Sequence, residues 1–243
     1  MAVAKSGAPM PRESAAARKR RAARIVRRLA RAYPEAQCAL HFQSPFELLI
    51  ATILSAQCTD EKVNEVTAVL FDRYPTAEAL ANASSAELET IVRSTGFYRQ
   101  KAKSLLASSR DIVESFDGEV PGTMEDLTTL RGVARKTANV VLGNCFAVPG
   151  LAIDTHMKRV HQRLGLTRHD EPDKIERDLM ELVPRAQWTP HTHRVIHHGR
   201  VCCDARRPRC EACPVRNDCP WPHRARMAKP AARRGRVRTR SSR

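Results

Sequence analysis

The sequence predicts an all-α protein, and three observations indicate that fold class. Residues that begin helices and residues that end them alternate along most of the chain, and apolar side chains recur between them at helical spacing. No stretch shows the sustained alternation of a β-strand, and no internal repeat is present. We therefore expect about ten short helices. Because 42% of the 243 residues are hydrophobic, the chain can form a core and is not wholly disordered.

The first helix is expected to follow a basic arm. Residues 1–16 include Gly7, Pro9 and Pro11, a composition typical of a disordered segment. Ser14 then offers a capping hydroxyl to an Arg-rich segment that ends at Pro34. This segment could be an Arg-rich transit peptide. Its apolar residues keep helical spacing up to the proline, however, which favours a basic surface helix packed on the protein.

Further helix signals follow one another along the middle of the chain. Residues 44–47 combine a capping hydroxyl, a proline at the first helical position and a glutamate at the third, so a buried helix is expected to about Cys58. The other predicted helices run from Ser84 to near Gly96, from Arg99 to Phe116, from Thr123 to Leu130, from Asp154 to Gly165 and from Pro172 to Val183.

Positive charge is concentrated at the two ends of the chain. The 42 Lys and Arg residues outnumber the 26 acidic residues and give a net charge of +16. Residues 1–32 and 221–243 each carry a net charge of +9, so the middle is nearly neutral at −2. Basic ends concentrate a protein on nucleic acid and make binding depend on salt, although they could instead aid solubility or direct the protein to an organelle. We expect a nucleic-acid partner and a disordered basic tail at 223–243.

The apolar segments and the cysteines indicate the compartment. The longest apolar stretch, 46–54, is interrupted by Glu47 and Thr52 and is far shorter than the ~20 residues that cross a bilayer; no secretory signal is recognisable. Five of the eight cysteines lie within 18 residues, which favours a metal centre over a disulfide framework in a reducing compartment. We expect no membrane partner and, if the protein is bacterial, a cytoplasmic, nucleoid-associated location.

A four-cysteine loop near the C-terminus has the spacing of a metal site. Four thiolates within 17 residues can enclose Zn²⁺ or a cubane iron–sulfur cluster, and one close pair flanked by wider gaps is more typical of the cluster. Cys202 is not chosen as a ligand, because using it in place of Cys203 would lengthen the gap to Cys210. Three arginines between the first two cysteines could bind phosphates. The predicted ligands are Cys203, Cys210, Cys213 and Cys219, and the arginines are Arg206, Arg207 and Arg209.

Residues 130–138 predict a tight turn between two helices. Backbone N–H groups at the start of the second helix could bind a phosphate, which the helix dipole also favours. Arg135 and Lys136 are unusual there, because a cation in a first helical turn interacts unfavourably with the dipole by ~0.3–1 kcal/mol. A bound phosphate would offset this cost, and a lysine required as an uncharged nucleophile would benefit from the field. The alternative is that both side chains simply extend into water.

Asp154 follows an apolar segment and precedes a predicted helix. The simplest interpretation is an N-cap, worth ~1 kcal/mol. The functional alternative is a charged carboxylate beside a reacting sugar, where it could stabilise positive charge or move a proton. N-cap aspartates are common, so this position alone does not distinguish the two.

Several of these segments together resemble the endonuclease III family of helix-hairpin-helix DNA glycosylases, which carry a [4Fe-4S] cluster. The resemblance runs from about Ala23 to Pro220 and rests on SPFELLIATILSAQCTDEKVN, RGVARKTANVVLGNCF, AIDTH, HHGRVCCDARRPRC and the cysteine spacing. It implies two helical domains with a DNA cleft between them. These are a six-helix barrel with the helix-hairpin-helix at 38–148 and a four-helix iron–sulfur cluster domain made from 17–37 plus 149–222.

The resemblance also implies an activity. It predicts a monomer that removes oxidised pyrimidines from double-stranded DNA and cleaves the resulting abasic site by β-elimination. Lys136 matches the family's nucleophile, which forms a Schiff base with the sugar, and Asp154 matches its catalytic carboxylate. Gln57 matches the residue that fills the gap left by a flipped base, and Phe97 lies where the family usually has a leucine wedge. Without the resemblance, Gln57 would be a polar helix end and Phe97 a core aromatic.

Two features separate this chain from its relatives. DNA contacts are expected from the hairpin, where Arg131-Gly132-Val133-Ala134 stands in place of the family's usual Pro-Gly-Val-Gly. Because Ala134 lacks the freedom of glycine to take positive φ, we expect the hairpin to bind a phosphate differently. The positive charge of Arg131 is expected to compensate for that change. The related iron–sulfur adenine glycosylase has a serine in place of Lys136 and a catalytic glutamate in place of Thr52, which argues against adenine excision here. The hairpin residues are Arg131, Gly132, Val133, Ala134 and Arg135.

Two alternatives from other classes remain. A non-catalytic helix-hairpin-helix DNA-binding protein would use the cysteines for structural zinc and would be colourless. A redox-sensing regulator would change its DNA affinity with oxidation state and would not cleave damaged DNA.

Overall fold

The computed structural model describes residues 12–221, and all regular structure in that range is helical, which confirms the all-α prediction. Most of the predicted arm at 1–16 and all of the predicted tail at 223–243 lie outside the described residues. None of the described helices is long and apolar enough to cross a membrane. In chain order the helices are α1 (Ala15–Ala32), α2 (Pro45–Leu54), α3 (Asp60–Arg73), α4 (Ala77–Ala81), α5 (Ser85–Val92), α6 (Tyr98–Ser115), α7 (Met124–Leu127), α8 (Arg135–Cys145), α9 (Thr155–Arg163), α10 (Pro172–Leu182) and α11 (Trp188–Val201).

Side-chain caps begin the first two helices as the sequence predicts. The Ser14 hydroxyl accepts a backbone N–H of α1, and the Ser44 hydroxyl accepts one of α2. The prediction that α2 continues to about Cys58 is wrong, because the helix ends at Leu54. Gln57 has a φ of 54°, in the left-handed region, so the backbone has left the helix before that residue.

The helices predicted from the sequence do not include α3, α4 and α11. The hydroxyls of Thr59 and Thr76 each accept a backbone N–H three residues ahead, so α3 and α4 do have cap signals that could have been used. By contrast, α11 begins after Gln187 without a side-chain cap. It packs against α1 and α9, so tertiary contacts rather than a local signal stabilise it.

The helices enclose two separate hydrophobic cores. Helices α2 to α8 surround the first core, which includes Leu48 and Leu105. Helices α1, α9, α10 and α11 surround the second, which includes Leu29, Val160 and Leu179. The exact domain boundaries at 38–148 and at 17–37 plus 149–222 stay predictions.

Two ion pairs join the cores where they meet. The Arg135 guanidinium at the start of α8 lies 2.7 Å from a carboxylate oxygen of Glu176 on α10. The Arg200 guanidinium on α11 lies 2.5 Å from a carboxylate oxygen of Asp60 at the start of α3. Lys136, which follows Arg135 directly, therefore stands at the junction of the two cores.

Candidate active site and metal centre

A cavity of about 650 Å³ is lined by both Lys136 and Asp154. An adjoining cavity of about 660 Å³ is lined by the same two residues and by Gln57. The structure thus brings together three residues that lie far apart in the sequence. Polar side chains from both cores line the rest of the first cavity, among them Asp60 and Asn144 from one core and His193 and Arg200 from the other.

The hairpin between α7 and α8 makes Lys136 the second residue of α8, with its side chain exposed. Gly132 has a φ of 89°, and the buried Val133 donates its N–H to the Leu130 carbonyl (3.0 Å). Ala134 has φ −98° and ψ 167°, an extended conformation open to any residue. The expectation that alanine at this position loses a needed positive φ is therefore wrong, because the left-handed residue of the hairpin is Gly132.

Gly132→Ala is expected to destabilise the protein by about 1–3 kcal/mol, because a non-glycine residue is strained at this φ. The added Cβ would also lie 3.0 Å from the Ser104 Cβ on α6. Urea unfolding measures the change. The matched control Ala134→Gly should lower stability by less than about 1 kcal/mol, because its backbone conformation suits both residues. Equal losses in the two variants would contradict this assignment of strain.

Two arginines predicted to contact DNA already have protein partners. The Arg131 side chain donates to the Asp111 carboxylate on α6, at 2.6 Å from Nη2, and its backbone N–H donates to the same group (2.9 Å). These hydrogen bonds hold the pKa of Asp111 below its usual range. The Arg135 guanidinium donates to Glu176. A phosphate would have to share either guanidinium, and the DNA contacts of both residues stay predictions.

Asp154 is the N-cap of α9. One of its carboxylate oxygens accepts the Met157 N–H at 2.7 Å, so the simplest interpretation from the sequence is correct as far as it goes. Asp154 also lines both cavities beside Lys136. The cap therefore fixes the orientation of a carboxylate at the cavity wall. A fixed carboxylate is also what a catalytic role beside a reacting sugar requires.

Histidines at the cavities were missed by the sequence analysis. Burial lowers the pKa of His156, whose Nδ1 lies 3.0 Å from the Arg159 guanidinium. Burial also lowers the pKa of His193, whose Nε2 lies 2.9 Å from the Asn144 amide oxygen. Both imidazoles are therefore expected to be uncharged at neutral pH. The spacing of His193 and His197, four apart on α11, was the available signal for a shared helix face.

Gln57 and Phe97 both have left-handed backbone conformations, with φ of 54° and 48°. Phe97 is 73% exposed, so its interpretation as a core aromatic is wrong. Buried Lys101 lies beside the loop that carries Phe97, because its Nζ donates to the Thr95 carbonyl (2.7 Å). Residues in left-handed backbone conformations cluster at functional sites, so the exposed Phe97 ring is a candidate for contact with a partner.

Phe97→Ala is expected to weaken binding to a duplex that contains an abasic-site analogue by about 5- to 150-fold, since stacking one base on an aromatic ring is worth ~1–3 kcal/mol. Fluorescence anisotropy measures the affinity. The melting temperature should hold, because the ring is exposed. Val69→Ala removes another exposed apolar side chain, on α3, and is the control. Similar DNA affinities in the two variants would exclude a wedge role for Phe97.

The four predicted cluster cysteines converge on one small cavity of about 30 Å³. All eight cysteines lie in the described part of the chain, and none forms a disulfide. Burial raises the pKa of the Cys213 thiol to about 12 and that of Cys219 to about 11. A cationic metal centre would favour the thiolate forms of these sulfurs, so the donor set fits a thiolate-bound metal centre such as an iron–sulfur cluster. Cys202 lines the same cavity and lies beside Cys213 and His198.

Two arginines four apart on α9 hold the cluster loop. Arg159 Nε donates to the Cys203 carbonyl (3.2 Å), and Arg163 donates to the Asp204 carbonyl (2.7 Å). Asp204 in turn accepts backbone N–H groups of Arg207 and Arg206, which lower its pKa. These hydrogen bonds join α9, the helix that Asp154 caps, to the cluster loop. The side chains of Arg206, Arg207 and Arg209 are exposed, and their phosphate contacts stay predictions.

Comparison with known proteins identifies the family. The HhH-GPD superfamily of base excision DNA repair proteins matches residues 50–185. An endonuclease III from a Synechocystis species is 53% identical over 206 residues, which cover 84% of this chain and 94% of that protein. The endonuclease III of Bacillus subtilis is 45% identical over 77% of this chain and 86% of that protein. This chain belongs to the endonuclease III family.

Solved structures agree with an endonuclease III fold. A non-covalent endonuclease III–DNA complex superposes with a TM-score of 0.83 and 41% identity, over 87% of this chain and 99% of that one. A trapped covalent endonuclease III–DNA intermediate gives a TM-score of 0.82 at 41% identity, over 86% of this chain and 98% of that one.

The cofactor prediction is also confirmed. The iron–sulfur binding domain of endonuclease III matches residues 203–219. This match spans Cys203 to Cys219, and the assignment of the four ligands within it stays a prediction. Zinc, which the spacing left open, is not the metal of this family's loop.

Proposed function

We propose that this member of the endonuclease III family removes oxidised pyrimidines from double-stranded DNA as a monomer and cleaves the resulting abasic site. One observation carries the proposal: Lys136 and Asp154 come from different cores and line one cavity. A volume of about 650 Å³ lies in the range of pockets that enclose a small ligand, and a base rotated out of the helix is such a ligand.

The chemistry then follows from two side chains. The uncharged Lys136 amine attacks C1′ of the deoxyribose, and the bond from C1′ to the base breaks as the base leaves with the electron pair. The Asp154 carboxylate stabilises the positive charge that develops on the sugar and assists proton transfer. Ring opening gives a Schiff base between Lys136 and C1′. Loss of a proton from C2′ then expels the 3′ phosphate and nicks the strand.

The cluster loop supports this chemistry from a distance. Cys203, Cys210, Cys213 and Cys219 would hold the [4Fe-4S] cluster, which when bound supplies a structural cross-link of four iron–thiolate bonds. The exposed arginines between the first two ligands would meet the DNA backbone. Free thiols and a cluster of this kind suit a reducing cytoplasm, where we place the protein.

An incision assay on four labelled duplexes tests the proposal. We expect strand cleavage at thymine glycol, at 5-hydroxycytosine and at an abasic site, but none at adenine opposite 8-oxoguanine. Borohydride should capture a covalent adduct on the first three substrates, and peptide mapping should place it at residue 136. Cleavage confined to the adenine substrate, or no captured adduct, would contradict the proposed activity.

A further inference from the structure

Glu176 on α10 is a buried carboxylate at the junction of the two cores, with 6% of its surface exposed. Both of its oxygens are used by α8. The Arg135 Nε donates to one oxygen at 2.7 Å, and Arg135 Nη2 and Asn139 Nδ2 donate to the other, each at 3.1 Å. A buried carboxylate needs such partners, so this arrangement is strongly specified.

The partners of Glu176 lie on α8 close to Lys136 in the sequence. Arg135 and Asn139 are four apart and therefore lie on one face of the helix, across its first two turns. The Asn139 amide also donates to the Leu151 carbonyl at 3.3 Å, three residues before Asp154. One carboxylate thus connects the turn that carries the amine to the segment that leads to the acid.

Glu176 also explains the charge at the start of α8. An arginine at the first position of a helix interacts unfavourably with the dipole, and the sequence predicts that something must offset this. The carboxylate of α10 supplies that offset without a phosphate. The guanidinium of Arg135 is held on Glu176 by two hydrogen bonds.

We infer that Glu176 is a positioning residue for the glycosylase and lyase reactions, which fixes the first turn of α8 so that Lys136 and Asp154 face the same sugar. This role rests on the proposed function, in which Lys136 is the nucleophile. The two reacting groups belong to different cores, so their relative position depends on the few contacts that cross the junction. A displacement of about 1 Å between reacting groups can cost a hundredfold in rate.

The test compares Glu176→Gln with Asp178→Asn. Asp178 lies on the same helix, and its carboxylate accepts the Thr167 hydroxyl (2.6 Å) within the second core, so Asp178→Asn is a matched loss of charge without a contact to α8. Two quantities are measured at a temperature at which each variant is folded. These are the single-turnover rate of borohydride capture on an abasic duplex at saturating enzyme and the affinity for a tetrahydrofuran abasic analogue.

We expect Glu176→Gln to slow capture by about 10- to 100-fold while affinity changes by less than about threefold. Arg135→Lys, which keeps the charge but loses the paired geometry, should slow capture in the same direction. Asp178→Asn should match the wild type. Equal capture rates for Glu176→Gln and Asp178→Asn would overturn the positioning role, as would parallel losses of rate and affinity. If the wild type gives no adduct at residue 136, the proposed function itself fails, whatever Glu176 does.

Discussion

Lys136→Gln is expected to abolish strand cleavage at abasic sites while binding to them survives. The loss should be at least about a thousandfold, because the variant has no amine to form the Schiff base. Borohydride capture should disappear at the same time. The melting temperature should be unchanged, since the side chain is exposed at the second position of α8. Gel-based incision and capture assays on one abasic duplex measure both effects.

The control for this substitution is Lys174→Gln, which removes an exposed lysine of α10 that pairs with Glu171. It should cleave and form adducts at the wild-type rate. Adducts that persist in Lys136→Gln would place the nucleophile elsewhere on the chain, and the mechanism proposed above would be wrong.

Asp154→Asn separates the two roles of the carboxylate. Asparagine caps helices about as well as aspartate, so stability should change by less than about 0.5 kcal/mol. The charge that stabilises the cationic sugar is lost, and the single-turnover rate of base excision should fall by about 100- to 10,000-fold. Thermal melting and a glycosylase assay on the same preparation measure the two quantities.

A second cap provides the comparison. Thr76→Ala removes the hydroxyl that caps α4, in the first core and outside both cavities, and should lower stability by about 1 kcal/mol with full activity per folded molecule. If Asp154→Asn behaved in this way, Asp154 would be a cap and nothing more.

The hairpin illustrates where sequence patterns succeed and where they fail. Its position, its glycine and the lysine that follows could be predicted, because turn residues and helix starts are governed by neighbours in the chain. The partners of its arginines could not. Arg131 meets Asp111 and Arg135 meets Glu176, and no local pattern marks a contact across 20 or 41 residues.

Sequence alone determined the helical class, most helix starts and the four-cysteine loop, because caps, apolar spacing and a 17-residue metal loop are all short-range features. Only the tertiary structure decided which helices face each other and hence what lines the cavity. Asp60 meets Arg200 across 140 residues, and the histidines of α11 reach the pocket only because α11 packs beside α8. Such contacts arise from the burial of two cores against each other, a collective effect that leaves no periodicity in any one segment.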